Sequence, residues 1–523
     1  MFNLATSGFV TPQGLDGTVD APIGLEALLR DAHNYSGMEL PLPPAMAGLY
    51  RILALLAARV TGLDDYDREH EWQVARDQVL AEGAFDAEAI TAYFDDYRDR
   101  FELFDAKRPW GQDPRLRDEC DKSSGINKLV WGRPAGRTQV WLRHVDDREA
   151  RPVPAAEAVH HLIATLYYGP SGLCSRRTAN GVTAGNSAAG PLRGALSIHP
   201  VGRTLFETIV LNIPFVSSEI EGDPAFWERD ELRDPTFAPD PGNGLAGVLT
   251  NQVQHAVLLY PSDDGQSVVD ATVTWGARPP RDGATPKNPD PFQVYVTTKD
   301  GREFARSADA SRAVWRDVDP ILQDTERDAG RTTRPKIITT FSRALRGRPD
   351  LRIQVFGFDQ DRQARDKAWF TAETPPVLHW LSAEPEQAGD DKKVSRVLNH
   401  LRAATDAAED TGWQLERTLT QVGRECGLVG GSTGGDRAPW NELSMARYWR
   451  RAEAVFWDAV TGDAPVTPNR FISVALQVYD TATDDYRHRP RVARAVARNV
   501  GSLYRNWVTE PTISSEATEG RNE

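Results

Sequence analysis

The sequence Tyr167-Tyr168-Gly169-Pro170-Ser171-Gly172 begins a glycine-rich segment that extends to Gly194. The segment contains six glycines and the arginines Arg176, Arg177 and Arg193, and no acidic residue occurs from Gly169 to Val201. Because glycine leaves backbone amides uncovered, a loop of this composition can lie directly against a ligand. We therefore expect backbone contact with a ligand here. A mobile surface loop without a ligand is the alternative interpretation.

Before this segment, apolar residues recur mainly at helical spacing. A short strand is expected over Phe2–Pro12, and Asp86 is expected to cap the helix that follows it. The predicted helices are Leu25–His33, Ala45–Thr61, Trp72–Gly83, Asp86–Phe104 and Pro154–Tyr168. The last of these helices leads directly into the glycine-rich segment.

After the segment, the pattern changes to strands and then to helices alone. The predicted strands are Ala256–Tyr260, Val268–Trp275, Phe292–Thr298, Leu351–Phe358 and Lys367–Thr371, with hairpin turns at Lys299–Arg302 and Asp359–Arg365. The predicted helices are Lys392–Gly427, Trp440–Thr461, Pro468–Tyr486 and Arg489–Trp507. These elements predict an α+β protein, with a mixed α/β domain at 1–380, a four-helix bundle at 381–508 and a disordered tail at 509–523.

The composition of the chain excludes some classes of function. A net charge of −14 over 523 residues argues against a protein that coats nucleic acid, because phosphate binding needs dense lysine and arginine. We expect a local DNA contact instead at Arg491, Arg494 and Arg498, which share one face of the last helix with Arg505. The start shows no secretory signal, and no apolar run is long enough to cross a membrane, so a cytoplasmic location is expected. The three distant cysteines are expected to be free thiols.

The sequence contains no convincing match to a known motif for catalysis or cofactor binding. Gly242–Gly247 fits GxGxxG but follows no strand, and Gly185–Gly190 has one residue too many for a nucleophile elbow. There is no Walker A lysine motif and no HExxH, and the adjacent His160 and His161 face different directions on a helix. The sequence therefore predicts a binding protein without a catalytic centre, a cofactor or a metal.

An irregular stretch at Gly125–Val145 combines aromatic, arginine and histidine residues, ending in Trp141-Leu142-Arg143-His144. Such a loop suits base stacking and phosphate contact. A loop that is merely pinned by Trp141 is an equally good interpretation of these residues.

Several short motifs in fixed order resemble the large subunit (CasA family) of the type I-E CRISPR Cascade surveillance complex. These motifs are Phe2-Asn-Leu with Gly8-Phe-Val-Thr-Pro, Arg108-Pro-Trp-Gly-Gln112, Pro191-Leu-Arg-Gly with Val201-Gly-Arg-Thr-Leu, Leu249-Thr-Asn-Gln-Val-Gln, and Tyr448-Trp-Arg-Arg-Ala-Glu453-Ala-Val-Phe456. The resemblance covers nearly everything from Phe2 to Trp507. No motif alone is as specific as a metal signature, so their order carries the resemblance.

The resemblance implies a non-enzymatic subunit that binds guide RNA, other Cascade subunits (backbone and small subunit) and double-stranded target DNA, and that offers a platform to a helicase–nuclease. It implies recognition of the protospacer-adjacent motif (PAM) and the start of strand separation. The family's PAM-contacting glycine loop matches Gly169, Ser171 and Gly172. Its guide-RNA and subunit docking loop matches Leu142, Arg143 and His144. Its glutamine wedge matches Arg362, Gln363 and Ala364.

The chain departs from the family pattern at three places. Pro170 removes one amide donor from the glycine loop. By sequence spacing, about eighteen residues are inserted after Gly172. The family's PAM-contacting basic residue falls somewhere between Arg278 and Lys287. Two rival functions remain open: a nucleotide-dependent or hydrolytic enzyme that uses the Gly169–Gly194 loop, and a protein-only scaffold.

Overall fold

The computed structural model describes residues 2–135, 150–217, 222–239, 244–278, 289–327, 330–361, 366–383, 396–429, 438–462 and 464–508. The described residues form an α+β fold, as expected. Its helices are α1 (Leu25–Arg30), α2 (Ala45–Thr61), α3 (Glu69–Glu82), α4 (Ala87–Tyr97), α5 (Leu116–Glu119), α6 (Ile126–Leu129), α7 (Ala155–Tyr168), α8 (Leu205–Leu211), α9 (Leu245–Leu249), α10 (Val318–Leu322), α11 (Lys336–Thr339), α12 (Arg343–Arg346), α13 (Arg396–Cys426), α14 (Asn441–Thr461), α15 (Asn469–Asp484) and α16 (Pro490–Asn499).

The strands are short and pair only in antiparallel fashion in the described part of the chain. They are β1 (Thr11–Gly14), β2 (Tyr35–Glu39), β3 (Val153–Pro154), β4 (Gly172–Ala179), β5 (Val182–Ser187), β6 (Leu196–Val201), β7 (His255–Pro261), β8 (Ser267–Trp275), β9 (Tyr295–Thr298), β10 (Glu303–Ala305), β11 (Thr325–Arg327), β12 (Gly330–Thr333), β13 (Arg352–Gln360) and β14 (Asp366–Glu373). They form small sheets in the orders β1-β2, β3-β8-β7, β4-β5, β14-β13-β6 and β10-β9-β12-β11.

The chain forms two compact units. The first comprises Met1–Ala310 with Pro320–Ser382, and the second comprises Ser311–Asp319 with Ala383–Glu523. The pattern of apolar residues in the sequence does not indicate the short excursion at Ser311–Asp319. Within the part of the chain that the structure describes, no helix has both the length and the apolar character needed to cross a bilayer.

Helices α2 and α7 lie at the centre of the first unit. Both are buried on almost every side, which fits their long apolar runs. They approach each other closely at Gly48, where an added Cβ atom would lie 2.4 Å from the Tyr167 ring. Helix α2 ends where predicted, because Gly62 adopts a left-handed φ of 71° and closes the last turn. Position 48 therefore requires glycine for packing.

The second unit is built from α13 to α16, which the sequence predicts as helices. Gly412 of α13 allows close contact with α14, since an added Cβ would lie 2.5 Å from the Trp449 ring. The Tyr448 hydroxyl donates a hydrogen bond to the Ala408 carbonyl at 2.8 Å and ties the same two helices together. Trp315, from the Ser311–Asp319 excursion, packs on Phe456 with ring centroids 4.8 Å apart.

Several boundaries differ from the sequence prediction, among them those of the first strand and of the last helix. The expected strand at Phe2–Pro12 is largely a turn, because the Asn3 side chain accepts a hydrogen bond from the Ala5 amide at 2.9 Å. The first strand begins only at Thr11. The last α-helix ends at Asn499 and continues as a tighter 3-10 turn over Val500–Tyr504, where Ser502 donates to the Asn499 carbonyl at 2.7 Å.

Candidate nucleic-acid interface

The glycine-rich segment is a β-hairpin, and not the open loop that its composition predicts. Strands β4 and β5 pair directly across a two-residue turn, with Ala179 opposite Val182. Asn180 and Gly181 occupy that turn with φ values of 48° and 78°, which are the left-handed conformations of a type I′ turn. The Asn-Gly pair is a strong hairpin signal, although the composition of the whole segment is that of a loop. The residues that look inserted relative to the family form most of this hairpin.

Arg177 serves the fold and does not face a ligand. Its guanidinium is fully buried and donates to Asp113 at 2.6 Å, to Glu119 at 2.7 Å and to the Trp275 carbonyl at 3.0 Å. Arg177 is therefore not available to a ligand. The neighbouring Arg176 points to the opposite side of β4 and is exposed.

Arg193 links the glycine-rich segment to another hairpin. Its side chain is buried and makes hydrogen bonds to the Tyr168 carbonyl and to Asp366, the first residue of β14. Its guanidinium lies 4.5 Å from the centre of the Phe358 ring in β13. Burial lowers the pKa of the Arg193 guanidinium, although Asp366 opposes that shift. The end of the segment is thus fixed to the hairpin of β13 and β14.

The three predicted PAM-contacting positions divide into one buried and two exposed residues. Gly169 is buried, and an added Cβ would lie 2.5 Å from both His255 Cε1 and the Thr165 carbonyl oxygen. Close packing is therefore the reason for glycine at position 169. Ser171 and Gly172 are exposed. Gly172 has a φ of 125°, and no atom lies within 4 Å of a Cβ added there.

His255 holds this exposed turn in place. Its Nε2 atom donates to the Pro170 carbonyl at 3.0 Å, and burial lowers the pKa of His255 to about 4, so the ring is neutral at pH 7. No local sequence pattern marks His255 as a residue of this site. The contact that defines its role is long-range, because His255 lies 85 residues from Pro170 in the chain.

A cavity of about 260 Å³ lies behind the turn. Its lining includes Pro170 and Leu173 of the turn, the basic residues Lys128, Arg133 and Arg193, and Asp366, which pairs with Arg193. Leu173 follows Gly172 and is 90% exposed. The turn therefore presents a small backbone surface, one apolar side chain and nearby positive charge, which together suit a groove lined by phosphates.

Several predicted site residues lie outside the described residues. These are Leu142, Arg143, His144, Arg362, Gln363, Ala364 and the segment from residue 279 to 288. Arg278, at the start of the ambiguous basic stretch, is described. Its guanidinium lies 4.4 Å from the centre of the Trp275 ring and donates to the Asn186 carbonyl of β5 at 3.3 Å. This basic residue is therefore in contact with the hairpin of β4 and β5.

The three arginines of α16 are exposed, as expected for a helix face that contacts solvent or a ligand. Two of them also contact Glu425 near the end of α13. Arg491 donates to the Glu425 backbone carbonyl at 2.8 Å, and Arg498 lies 3.4 Å from the Glu425 carboxylate. Part of the positive charge on this face is therefore balanced within the bundle.

Comparison with known proteins gives consistent results over nearly the whole chain. The model of the family described as CRISPR-associated protein Cse1 matches residues 3–476. The chain is 26% identical to CRISPR-associated protein CasA/Cse1 of Thermus thermophilus, and the match covers 89% of this chain and 86% of that protein.

Solved structures agree with this match. A chain from a structure described as a CRISPR RNA-guided surveillance complex is 42% identical, with a TM-score of 0.83, and the match covers 96% of this chain and 99% of that chain. The crystal structure of Thermobifida fusca Cse1 has 17% identity and a TM-score of 0.73, covering 97% of this chain and 98% of that chain. The latter likeness shows a shared fold.

Proposed function

The chain belongs to the family of CRISPR-associated protein Cse1, a component of the CRISPR surveillance complex, and from this premise we propose that it recognises the PAM on double-stranded DNA and starts strand separation. In this role it is a non-catalytic subunit. It assembles with guide RNA and the other subunits through the loop containing Leu142, Arg143 and His144, and it helps to recruit a helicase–nuclease.

The contact between the end of the glycine-rich segment and the hairpin of β13 and β14 carries this proposal. Arg193 at the end of the glycine-rich segment bonds to Asp366, and Gln360 donates to the same carboxylate at 3.2 Å. Asp366 and Gln360 are the residues that end β14 and β13 at the polar hairpin tip. A wedge must enter the duplex beside the motif that a glycine loop contacts, so the two elements have to be neighbours. The contact of Arg193 with Asp366 at the base of the β13–β14 hairpin supports a joint action on one site in DNA.

The chemistry of the exposed turn supports loose reading of a short motif. The minor groove distinguishes A·T from G·C pairs poorly, and exact sequence can be left to pairing with the guide. Ser171 and Gly172 offer a hydroxyl and backbone groups without bulk, while Gln363 is proposed to separate the first base step. Arg491, Arg494 and Arg498 are proposed to bind DNA phosphates.

The enzymatic alternative has less support. A nucleophile elbow needs an exposed serine on a sharp turn between a strand and a helix. Ser187, the serine of the approximate motif, instead lies buried at the end of β5 and donates its hydroxyl to the Ala188 carbonyl at 3.0 Å. The proposed function is therefore a binding function.

Replacing Gly172 by Asp tests the proposal. The added carboxylate would face DNA phosphates, so binding of the assembled complex to a PAM-bearing duplex should weaken by about 2 kcal/mol, or roughly 30-fold, in a gel-shift assay. Gly172→Ala shares the backbone strain that a φ of 125° imposes but adds no charge. The difference in duplex binding between Gly172→Asp and Gly172→Ala therefore measures the repulsion between the added carboxylate and the DNA phosphates.

A second control places the same charge elsewhere on the hairpin. Gly185→Asp is tolerated sterically, since the nearest atom to an added Cβ lies 3.7 Å away. This variant should bind the duplex more tightly than Gly172→Asp does. Equal binding by Gly172→Asp and the unmodified protein would contradict PAM contact at this turn.

A further inference from the structure

A second cavity in the first unit, of about 140 Å³, shares His255 in its lining with the cavity behind the glycine turn. Its floor is apolar and includes Leu166, Trp110 and Phe226, and Val253 stands at its wall. Trp110 and Phe226 pack edge to face with ring centroids 5.3 Å apart, which fixes the shape of the floor. We call this cavity the anchor pocket.

Arginine dominates the charged rim of the anchor pocket. Five arginines line it, together with Asp113 and Glu231, whereas no lysine does so among the described residues; the arginines are Arg100, Arg108, Arg115, Arg229 and Arg233. Arg100 and Arg108 both donate to the Arg229 carbonyl, at 3.2 and 2.6 Å. These bonds hold the guanidinium groups in place before any ligand arrives, which reduces the entropy lost on binding.

Two buried polar atoms of the pocket lining have no hydrogen-bond partner among the described residues. They are Trp110 Nε1 and His255 Nδ1, in residues that are only 1% and 4% exposed. Trp110 Nε1 is a donor, so a ligand that supplies a carbonyl or carboxylate oxygen would relieve the cost of burying it unpaired; His255 Nδ1 carries the lone pair of the neutral ring and would accept a hydrogen bond from a ligand N–H group.

Exposed apolar side chains extend the surface beyond the pocket. Leu232 lies at the rim and is 38% exposed, and Phe237 follows on the same segment with 66% exposure. Arginine and aromatic residues are enriched at protein interfaces, and lysine is depleted there. The composition of this surface is therefore that of a docking site for protein.

We propose that the anchor pocket binds one aromatic side chain of a partner protein, carried on an acidic peptide segment. A cavity of about 150 Å³ accommodates a benzene ring, so the volume suits a single ring. The net positive rim attracts carboxylates that flank this ring. An aromatic anchor inside a dry pocket with a surrounding polar rim is the usual arrangement of an interface hot spot.

A protein partner fits this site better than nucleic acid does. Asp113 and Glu231 stand on the rim, and the exposed Asp230 lies 3.0 Å from Arg100. A nucleic-acid backbone carries a charge at every nucleotide and would bring some of these charges against the carboxylates, whereas a short peptide can place its few acidic side chains beside the arginines. The proposal does not rest on PAM recognition, because the peptide is expected to enter the anchor pocket and not the cavity behind the glycine turn, although both cavities have His255 in their lining.

Fluorescence anisotropy with a labelled pentapeptide, one Phe flanked by two Asp on each side, tests the proposal on the full chain. Saturable binding with a Kd below about 1 mM is expected. A peptide with Ala in place of Phe, or with Lys in place of Asp, should bind about tenfold more weakly. Equal binding of the Phe and Ala peptides would overturn the proposal, as would displacement of the peptide by oligothymidylate, which would assign the site to nucleic acid.

Two variants locate the site. Val253→Trp fills the pocket and should weaken peptide binding about tenfold, and Leu232→Ala removes rim contact and should weaken it about threefold. Val74→Trp and Leu15→Ala are matched controls at exposed positions outside the pocket, and they should bind like the unmodified chain. If Leu232→Ala and Val253→Trp both bind the Phe peptide normally while folded, the anchor pocket is not the site.

Discussion

At the scale of single residues, Arg177 shows how a buried charge is balanced in this fold. Burial alone would raise the pKa of the Asp113 carboxyl, but hydrogen bonds and charge from Arg115 and Arg177 outweigh burial and lower it. A folded-state pKa below the unfolded value means that Asp113 contributes stability at neutral pH. This contribution is lost as pH falls from the unfolded value of about 3.9 through the lower folded-state pKa.

Arg177→Met should destabilise the chain by about 3 to 5 kcal/mol, because it leaves Asp113 and Glu119 without their buried partner. Urea unfolding at pH 7 measures this change as a lower midpoint. Arg176→Met is the matched control on the same strand, since Arg176 is exposed, and its midpoint should change little. Similar midpoints for the two variants would mean that the buried ion pairs contribute no net stability.

Residue-level predictions from sequence succeeded where the cause was local. The Asp86 cap is confirmed, because its carboxylate accepts hydrogen bonds from the amides of Glu88 and Ala89 at 2.7 and 2.9 Å. Arg176 and Arg177 could not be distinguished, since strand alternation places them on opposite faces without saying which face is buried. The partners of Arg177 at Asp113, Glu119 and Trp275 are far away in sequence.

At the scale of elements, helices with long apolar periodicity were predicted well. Helix α2 has the predicted bounds, and β9 and β10 form the predicted hairpin around Gly301, whose φ is 79°. The hairpin of β4 and β5 was missed because its glycine and serine content resembles that of a loop. Its strands gain stability from contacts with β8 and from the buried Arg177, which composition does not report.

We expect the two glutamines in the hairpin of β13 and β14 to have different roles. The Gln360 side chain donates a hydrogen bond to Asp366 at the base of the tip. Gln363 lies between these two residues in the sequence. If Gln363 is the wedge, Gln363→Ala should slow R-loop formation on a fully paired target, because unstacking a base step costs a few kcal/mol. A target already unpaired beside the PAM should be opened at nearly the normal rate.

Gln360→Ala is the matched control for this experiment. Its rates on paired and pre-melted duplexes should change by the same factor, because its contact is internal to the hairpin. The wedge would have to be reassigned if Gln360→Ala alone distinguished the two duplexes. A Gln363→Ala variant that slowed both equally would instead indicate a general loss of DNA binding.

At the scale of the whole molecule, sequence predicted the α+β class and a helical region at the end of the chain. The Ser311–Asp319 excursion could not be predicted, because it depends on tertiary contacts. Arg316 donates to both oxygens of Glu409 at 2.9 and 2.8 Å and stacks 3.5 Å from the centre of the Trp449 ring. These contacts join residues that are about a hundred positions apart, beyond the reach of local patterns.

Buried histidines give the whole first unit a common response to acid. Burial lowers the pKa values of His161 and His255 to about 4 and that of His199 to about 3. His199 is held neutral between Ser197 at 2.8 Å and Asn212 at 2.7 Å. In the unfolded chain these rings take up protons near pH 6.5, whereas in the folded chain they do not. Lowering the pH therefore favours unfolding.

We expect the free energy of unfolding to fall as pH decreases from about 6.5 towards 4, by on the order of 1 kcal/mol per pH unit for each buried histidine. Chemical denaturation between about pH 7 and 5 isolates this effect, because most carboxylates stay ionised there. His161→Gln should make the decline shallower, since glutamine can still accept the hydrogen bond that the Trp131 amide donates to His161 at 3.3 Å. The exposed His70→Gln should leave the slope unchanged. A pH-independent unfolding free energy in this range would show that the buried histidines take up protons in the folded chain as readily as in the unfolded chain, which would contradict a lowered pKa of His255 behind the glycine turn.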